Sequence, residues 1–261
     1  MALINEGSLD NFSIRPADVA EVKDAAKRSF IAENFDLLSN IKTFSLMEQM
    51  RRSFIEAEIP FVPKPTMGGL GLKSFTLYKS FEGLMNIFNP QNEIYFVAWA
   101  WDLSSNPPYV YPAVGTEPGA WFHRMRKQDR ITFIGDGINL YPKQEIKGGI
   151  GVHLEVWESD ADIRKVGNTI KEVTDKVQNS ELTAILSGLT SANPSTATVA
   201  AISQAVLTLS GIIGDILKKN SDDFVNLFEG YYSVDNWTIG LDPYSIPDKK
   251  KPTCEIILNR Y

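Results

Sequence analysis

The stretch "GIGVHLEVWES" (residues 149–159) alternates along its length between two kinds of side chain. Successive residues of a β-strand point to opposite faces, so the alternation defines two faces. The apolar face consists of Ile150, Val152, Leu154 and Val156. The opposite face consists of His153, Glu155 and Trp157. The pattern predicts a strand of an antiparallel sheet, with His153 as a hydrogen-bonded structural residue.

Further short runs of aromatic and β-branched residues are separated by Gly, Pro, Asn and Asp, which is typical of strands and turns. These runs are "SFTLYKSFE" (74–82), "NEIYFVAWAWDLS" (92–104), "AWFHRMR" (120–126), "DRITFIGDGINLYP" (129–142) and "CEIILNRY" (254–261). The "GDG" at 135–137 predicts a hairpin turn between its flanking runs. The spacing predicts an α+β chain built on an antiparallel β-sandwich.

A helical period interrupts the strand pattern at about 160–220. Apolar residues recur every three or four positions in "DADIRKVGNTIKEVTDKVQNS" (160–180) and continue to Leu189. "SANPST" (191–196) indicates a turn, and a second helix is expected over about 196–219. The sequence therefore predicts a two-helix hairpin inserted between two strands of the sandwich.

Residues 182–214, within this hairpin, contain no charged side chain. Burial of the hairpin against the sheet or another subunit would explain this, and so would conditional insertion into a membrane. For insertion, the membrane-contacting candidates are Val199, Ile202, Val206, Leu209 and Ile213. Interspersed Ser and Thr residues lower the hydrophobicity below that of a constitutive span, which favours burial.

Three segments are predicted along the chain. Residues 1–62 show helical periodicity, with a capping-box pattern at Ser45 and Glu48, and are expected to form a helical N-terminal arm. Residues 63–73 are rich in Pro and Gly and are expected to be a linker. Residues 74–261 are expected to form the sandwich with its helical insertion.

Charge and composition exclude some classes of protein. The net charge of −6 argues against a nucleic-acid partner, because phosphate binding needs a concentrated basic face. Cys254 is the single cysteine, so neither an intrachain disulfide nor a thiolate metal cluster can form. The start of the sequence shows no signal-peptide pattern, which predicts synthesis in the cytoplasm, with release by a signal-independent route left open.

No catalytic motif is readable. The sequence contains two histidines, His123 and His153, and Cys254 has no activating context in the sequence. Nucleophile-elbow, zinc-protease, P-loop and dinucleotide-binding patterns are absent from the sequence. We therefore expect a non-enzymatic protein, with an enzyme of unreadable class as the alternative.

Carboxylates at predicted strand ends suggest a calcium site, since Ca²⁺ prefers several oxygen ligands gathered from loops. The candidate ligands are Asp102, Glu158, Asp160, Asp162, Asp222 and Asp223. The carboxylates that precede the helical hairpin and those that follow it must meet at the base of the hairpin. The alternative is that Asp160 and Asp162 offset a helix dipole and that Asp222 and Asp223 are turn residues.

With "WESDAD" (157–162) following an amphipathic strand, residues 74–261 resemble the calcium- and lipid-binding β-sandwich domains of the synaptotagmin type. The resemblance implies metal-dependent binding of a membrane or a partner through loops. It also implies Asp160, Asp162 and Asp222 as ligands.

The run "PPYVYP" (107–112) supplies candidate contact residues, because its prolines exclude it from a central strand. Tyr109 and Tyr111 are therefore predicted to bind a partner. Together these observations predict a recognition or assembly module that binds a protein or carbohydrate partner. Stabilisation by calcium and the formation of homo-oligomers are two further expectations. The alternative is a toxin-like protein that inserts its uncharged hairpin into a membrane.

Overall fold

The computed structural model describes residues 5–7, 66–79, 91–113, 121–159, 163–189, 196–219, 222–234, 237–244 and 253–261. The strands are β1 (Asn5–Gly7), β2 (Thr66–Leu77), β3 (Asn92–Trp101), β4 (Tyr109–Tyr111), β5 (His123–Met125), β6 (Arg130–Thr132), β7 (Ile138–Ile146), β8 (Gly149–Glu158), β9 (Asp223–Ser233), β10 (Gly240–Tyr244) and β11 (Cys254–Arg260). The helices are α1 (Ile163–Gln178), α2 (Glu181–Ser187) and α3 (Thr196–Lys218). The chain is thus a mixed α+β protein, with its helices between β8 and β9.

The strands form two sheets, and each pairing in the described part of the chain is antiparallel. A six-stranded sheet has the order β1-β9-β8-β3-β4, with β5 on the same edge of β3 as β4. A five-stranded sheet has the order β10-β11-β2-β6, with β7 also paired to β2. The predicted antiparallel β structure is therefore confirmed.

Alternation along β3 connects three layers. Its even-numbered residues, such as Phe96 and Ala98, belong to the apolar cluster shared by the two sheets. Its odd-numbered residues, such as Trp99 and Trp101, belong to a second cluster, shared with the helices. The six-stranded sheet is consequently buried on both faces, with the five-stranded sheet on one side and the helical layer, α1 to α3, on the other.

Three helices replace the predicted two-helix hairpin. The first predicted helix breaks after α1, where the Ser180 side chain accepts a hydrogen bond from the Thr183 backbone N–H and begins α2. Because this cap satisfies a backbone donor at a helix start, the chain turns here although its apolar period continues. The second predicted helix is confirmed as α3.

The helix α3, which carries no charge from residue 196 to residue 214, lies against the six-stranded sheet. Four of the five proposed membrane-contacting residues are at most 2% exposed, namely Ile202, Val206, Leu209 and Ile213. The side chain of Val199 lies outside the described residues. Among the helices of the described part, none combines the length and apolar character needed to cross a membrane. The missing charge in this segment therefore corresponds to burial within the fold.

The predicted linker 63–73 is wrong from residue 66 onward, because these residues begin β2. Their glycines mark close approaches to other groups instead of a loop. A Cβ at Gly69 would meet the ring of Tyr261, and one at Gly71 would meet the carbonyl oxygen of Asp136. Glycine permits such approach in a strand interior.

The predicted turn at 135–137 is present, with Gly137 N–H donating to the carbonyl oxygen of Ile134 (3.1 Å), but the prediction that it makes a hairpin is wrong. β6 and β7 both pair with the same edge of β2 and not with each other. The intervening residues 133–137 leave the ladder opposite Lys73, whose backbone carbonyl accepts a hydrogen bond from Phe133 N–H (2.9 Å). A Gly-Asp-Gly turn signal specifies a change of local direction but does not identify the pairing partner.

The predicted helical arm is only partly described. Residues 5–7 are not helical but form β1, which pairs with β9 at the edge of the six-stranded sheet. Residues 1–4 and 8–62 lie outside the described residues.

Candidate functional site

The second face of β8 is buried under the helical layer instead of facing solvent. Glu155 is fully buried, and its carboxylate accepts three hydrogen bonds. Trp157 Nε1 donates to Oε2 (2.9 Å), and Ser210 Oγ of α3 donates to Oε1 (2.9 Å). His153 Nε2 lies 3.0 Å from Oε1 as well. Because these donors are all protein groups, Glu155 is held as a structural acceptor away from solvent.

His153 is a structural residue, as the alternation predicts. Its ring is fully buried and stacks on Trp99, with 4.1 Å between ring centroids. The other histidine, His123, packs against Phe96 and Phe133, and burial lowers the pKa of His123. In the described part of the chain, His153 Nε2 is bonded to the Glu155 carboxylate and not to a hydroxyl or thiol group.

The carboxylates at the base of the helical layer do come together, in part. Glu158 and Asp223 are directly opposite each other in the β8–β9 ladder. Asp222 is buried, and its Oδ2 accepts a hydrogen bond of 2.8 Å from Tyr95 OH. Burial, together with the nearby Asp222, Glu155 and Glu158, raises the pKa of Tyr95 well above its ordinary value.

Asp102 does not belong to this group. It follows β3 at the end where Trp101 pairs with Gly151, whereas Glu158 pairs with Ile94 at the other end. At roughly 3.4 Å per residue these ends are about 24 Å apart. The Asp102 carboxylate accepts hydrogen bonds from the backbone N–H groups of Ser104 (3.1 Å) and Lys147 (3.0 Å), which fixes two loops. One calcium site containing Asp102 and Glu158 is therefore excluded by distance.

The other predicted ligands give no metal centre in the part of the chain that the structure describes. Asp160 and Asp162 lie outside the described residues. Among the described residues, no three His, Cys, Asp or Glu side chains are grouped so that they could hold a metal ion.

The strongest candidate site lies where an edge of the six-stranded sheet meets an edge of the five-stranded sheet. It consists of Tyr109, Tyr141 and Gln144 and is here called the Tyr109 ledge. Tyr109 OH donates to Gln144 Oε1 (3.1 Å), and Gln144 Nε2 donates to Tyr141 OH (2.6 Å). The rings of Tyr109 and Tyr141 meet edge to face with 5.0 Å between centroids. Tyr109 is 36% exposed, so the ledge presents a fixed aromatic ring beside an amide.

The ledge spans both sheets. Tyr109 begins β4 of the six-stranded sheet, whereas Tyr141 and Gln144 lie on β7 of the five-stranded sheet. Tyr141 is buried, and its burial, with Asp102 nearby, raises its pKa strongly. The buried tyrosine thus anchors the exposed one.

Tyr111, the second predicted contact residue, has a different position. It is half-buried and packs against the apolar cluster between the sheets. Burial raises its pKa to about 12. Two residues apart on β4, Tyr109 and Tyr111 lie on the same face of the strand, with Tyr109 at its exposed end and Tyr111 further in. The partner-binding prediction for Tyr111 therefore conflicts with its packing.

Sequence reasoning missed Tyr141, Gln144 and Ser210. Tyr141 and Gln144 lie more than thirty residues from Tyr109 along the chain, and only the meeting of β4 and β7 brings them together. Ser210 lies in the uncharged part of α3, where apolar residues three and four positions away mark a buried face. A hydroxyl on a buried helix face needs a hydrogen-bond partner within the fold, and this was the signal in the sequence that could have identified Ser210.

Comparison of the chain with models of protein families, with curated proteins and with solved structures finds no match in any of the three.

Proposed function

We propose that the protein is a non-enzymatic recognition or assembly module, built on a β-sandwich, that binds a protein or carbohydrate partner at the Tyr109 ledge. The observation that carries the proposal is the fixed exposed ring of Tyr109, whose hydroxyl is hydrogen-bonded to Gln144. An ordered tyrosine loses little conformational entropy on binding and offers both an apolar face and a polar edge.

The surroundings of Tyr109 support this role. Gln144 offers an amide next to the ring, and amides and aromatic rings together suit the hydroxyl-bearing faces of sugars as well as peptide groups. Holding the ring in place before binding reduces the ordering cost, which favours affinity.

The proposal is tested with the full chain and three variants. Tyr109→Ala removes the ring, and Tyr109→Phe keeps the ring but removes the bond to Gln144. Tyr78→Ala is the matched control, because Tyr78 is also a partly exposed tyrosine whose hydroxyl donates to a side chain, here Glu255 Oε2 at 3.3 Å. Binding is measured to an array of polysaccharides and, by photo-crosslinking, to proteins of the source cells.

We expect Tyr109→Ala to weaken the binding that wild type shows by at least about tenfold, as truncation of an interface anchor does. Tyr109→Phe should have a smaller effect and Tyr78→Ala none. Retention of full affinity by Tyr109→Ala would exclude the ledge as the binding site, and the arm of the experiment that shows binding identifies a sugar or a protein partner.

A further inference from the structure

A second exposed surface begins on β6, which pairs with the same edge of β2 as β7 does. Ile131 and Phe133 pack toward the cluster between the sheets, while Arg130 and Thr132 alternate with them and are exposed. Ile134 continues this outward row and is 97% exposed. Thus an isoleucine projects from the outer face of the five-stranded sheet with almost no protein contact.

The turn that carries Ile134 is held in place. Lys73 Nζ donates to the carbonyl oxygens of Phe133 (2.9 Å) and Gly135 (2.6 Å), on either side of the isoleucine. Gly137 N–H donates to the carbonyl oxygen of Ile134 itself (3.1 Å). The exposure of Ile134 is therefore fixed by the sheet.

More exposed apolar side chains lie on the same face. Leu241 of β10 is 56% exposed and lies opposite Asn259. Asn259 Nδ2 in turn donates to the carbonyl oxygen of Asp136, in the turn of Ile134 (3.3 Å). Ile239, directly before β10, is 72% exposed. Ile134 and Leu241 thus share the outer face of the sheet, and Ile239 adds a third exposed apolar side chain at the start of β10.

The charge beside Ile134 differs in sign from that of the whole chain. Residues 126–136 and Lys73 carry four cations, Arg126, Lys127, Arg130 and Lys73, against the carboxylates of Asp129 and Asp136. Glu255 lies in register with Arg130 across Thr76 of β2, so with its carboxylate this group has a net charge of +1, in a chain whose net charge is −6. Such a local excess of cations complements an anionic surface at distances up to about a Debye length.

We propose that the outer face of the five-stranded sheet, centred on Ile134 and the basic turn at residues 126–130, docks on an anionic lipid surface without calcium. An apolar side chain that projects from a convex turn can enter the headgroup region without a shaped pocket, and adjacent cations contact lipid phosphates. A protein partner would instead need a cavity complementary to Ile134. No helix leaves the fold in this mode of binding.

The experiment is flotation of the full chain with vesicles in the presence of chelator. One set of vesicles contains phosphatidylcholine alone, and the other also contains phosphatidylserine. Ile134→Ser removes the projecting side chain, and Lys127→Glu reverses a charge in the basic turn. Ile212→Ser is the matched control, since Ile212 is an exposed isoleucine (42%) on α3.

We expect wild type to float with the phosphatidylserine vesicles and not with phosphatidylcholine alone. Ile134→Ser should weaken binding about tenfold or more, which corresponds to the transfer of one aliphatic side chain. Lys127→Glu should weaken it by more than about fivefold, and added salt should reduce binding further. Ile212→Ser should bind as wild type does. Because Ile134 and Lys127 are exposed, their variants should keep the wild-type thermal midpoint, which is measured in parallel.

Absence of flotation in chelator would overturn the proposal, as would equal binding to both kinds of vesicle. Wild-type binding by Ile134→Ser and Lys127→Glu would also overturn it. A loss caused by Ile212→Ser of the same size as that caused by Ile134→Ser would assign the contact to the helical layer instead. None of these outcomes bears on the Tyr109 ledge, whose test uses different variants.

Discussion

Ser210 of α3 donates a hydrogen bond of 2.9 Å to the buried carboxylate of Glu155 on β8, and so connects the helical layer to the six-stranded sheet. Both side chains are at most 1% exposed. A carboxylate in such a position is costly unless its lone pairs are occupied, and His153, Trp157 and Ser210 together occupy them. The polar cluster therefore fixes where α3 lies on an otherwise apolar interface.

Replacing Ser210 with Ala should lower the free energy of unfolding by about 1–3 kcal/mol, because a buried acceptor loses one of its donors. Thr208→Ala is the control: Thr208 is exposed on the same helix, and its hydroxyl bonds only the helix backbone, at Gln204 O. Its effect should stay within about 0.5 kcal/mol. Urea unfolding measures both, and equal effects would show that Ser210 does not connect the layers.

Two consecutive isoleucines of α3 should behave differently. Ile213 is 0% exposed within the cluster between helices and sheet, whereas Ile212 is 42% exposed. Ile213→Ala should destabilise the fold by about 2–5 kcal/mol through lost burial and a residual cavity. Ile212→Ala should cost well under about 1 kcal/mol. If the two variants unfold at the same denaturant concentration, α3 is not packed as described.

The sequence predicted the local character of these elements better than their surroundings. The apolar face of β8 is confirmed, since Ile150, Val152, Leu154 and Val156 all pack between the sheets. The opposite face has a polar pattern, yet it is buried under the helix α3. The alternation within β8 does not predict this burial, because α3 lies about fifty residues further along the chain. The uncharged residues of α3 and the polar face of β8 are two sides of one interface.

Other errors have a similar origin. The glycines of β2 resemble a linker in composition, but rings and backbone from distant segments pass over them. In the candidate site, Tyr109 could be predicted as a contact residue because prolines flank its run. Its partners on β7 could not, because only tertiary contact brings them beside it. Asp102 and Glu158 both end strands and both are acidic, but antiparallel pairing places them at opposite ends of the sheet.

Substitution of two glycines should have effects of opposite sign. A Cβ at Gly71 would collide with the carbonyl oxygen of Asp136, which is backbone and cannot rotate away, so Gly71→Ala should cost about 1–3 kcal/mol. Gly211 lies within α3, with nothing within 4 Å of a Cβ. Gly211→Ala should therefore stabilise the protein by about 0.5–1 kcal/mol through helix propensity. Thermal unfolding of both variants measures this, and a stabilising Gly71→Ala would contradict the position of the 133–137 turn.

Tyr111 should contribute to alkaline unfolding. Burial raises its pKa to about 12 in the folded state, from 10.0. Between these pH values Tyr111 has lost its proton in the unfolded chain and keeps it in the folded chain. The contribution of Tyr111 to stability is therefore fully present below about pH 10 and is lost as the pH rises toward about 12. The slope attributable to this residue is about 1.4 kcal/mol per pH unit. Tyr111→Phe should have a correspondingly shallower decline, measured by urea unfolding at a series of alkaline pH values. The buried tyrosines Tyr95 and Tyr141 remain in both proteins and cancel in the comparison, so identical slopes would contradict the burial of Tyr111.

We infer that α3 is a fixed layer of the fold and that contacts with other molecules occur elsewhere on the surface. Hydrogen–deuterium exchange of the full chain, with and without phosphatidylserine vesicles, tests it most directly. We expect the backbone amides of residues 196–218 to exchange equally slowly in both samples. A loss of protection in that segment on adding vesicles would show that α3 leaves the six-stranded sheet, and would support the inserting hairpin instead.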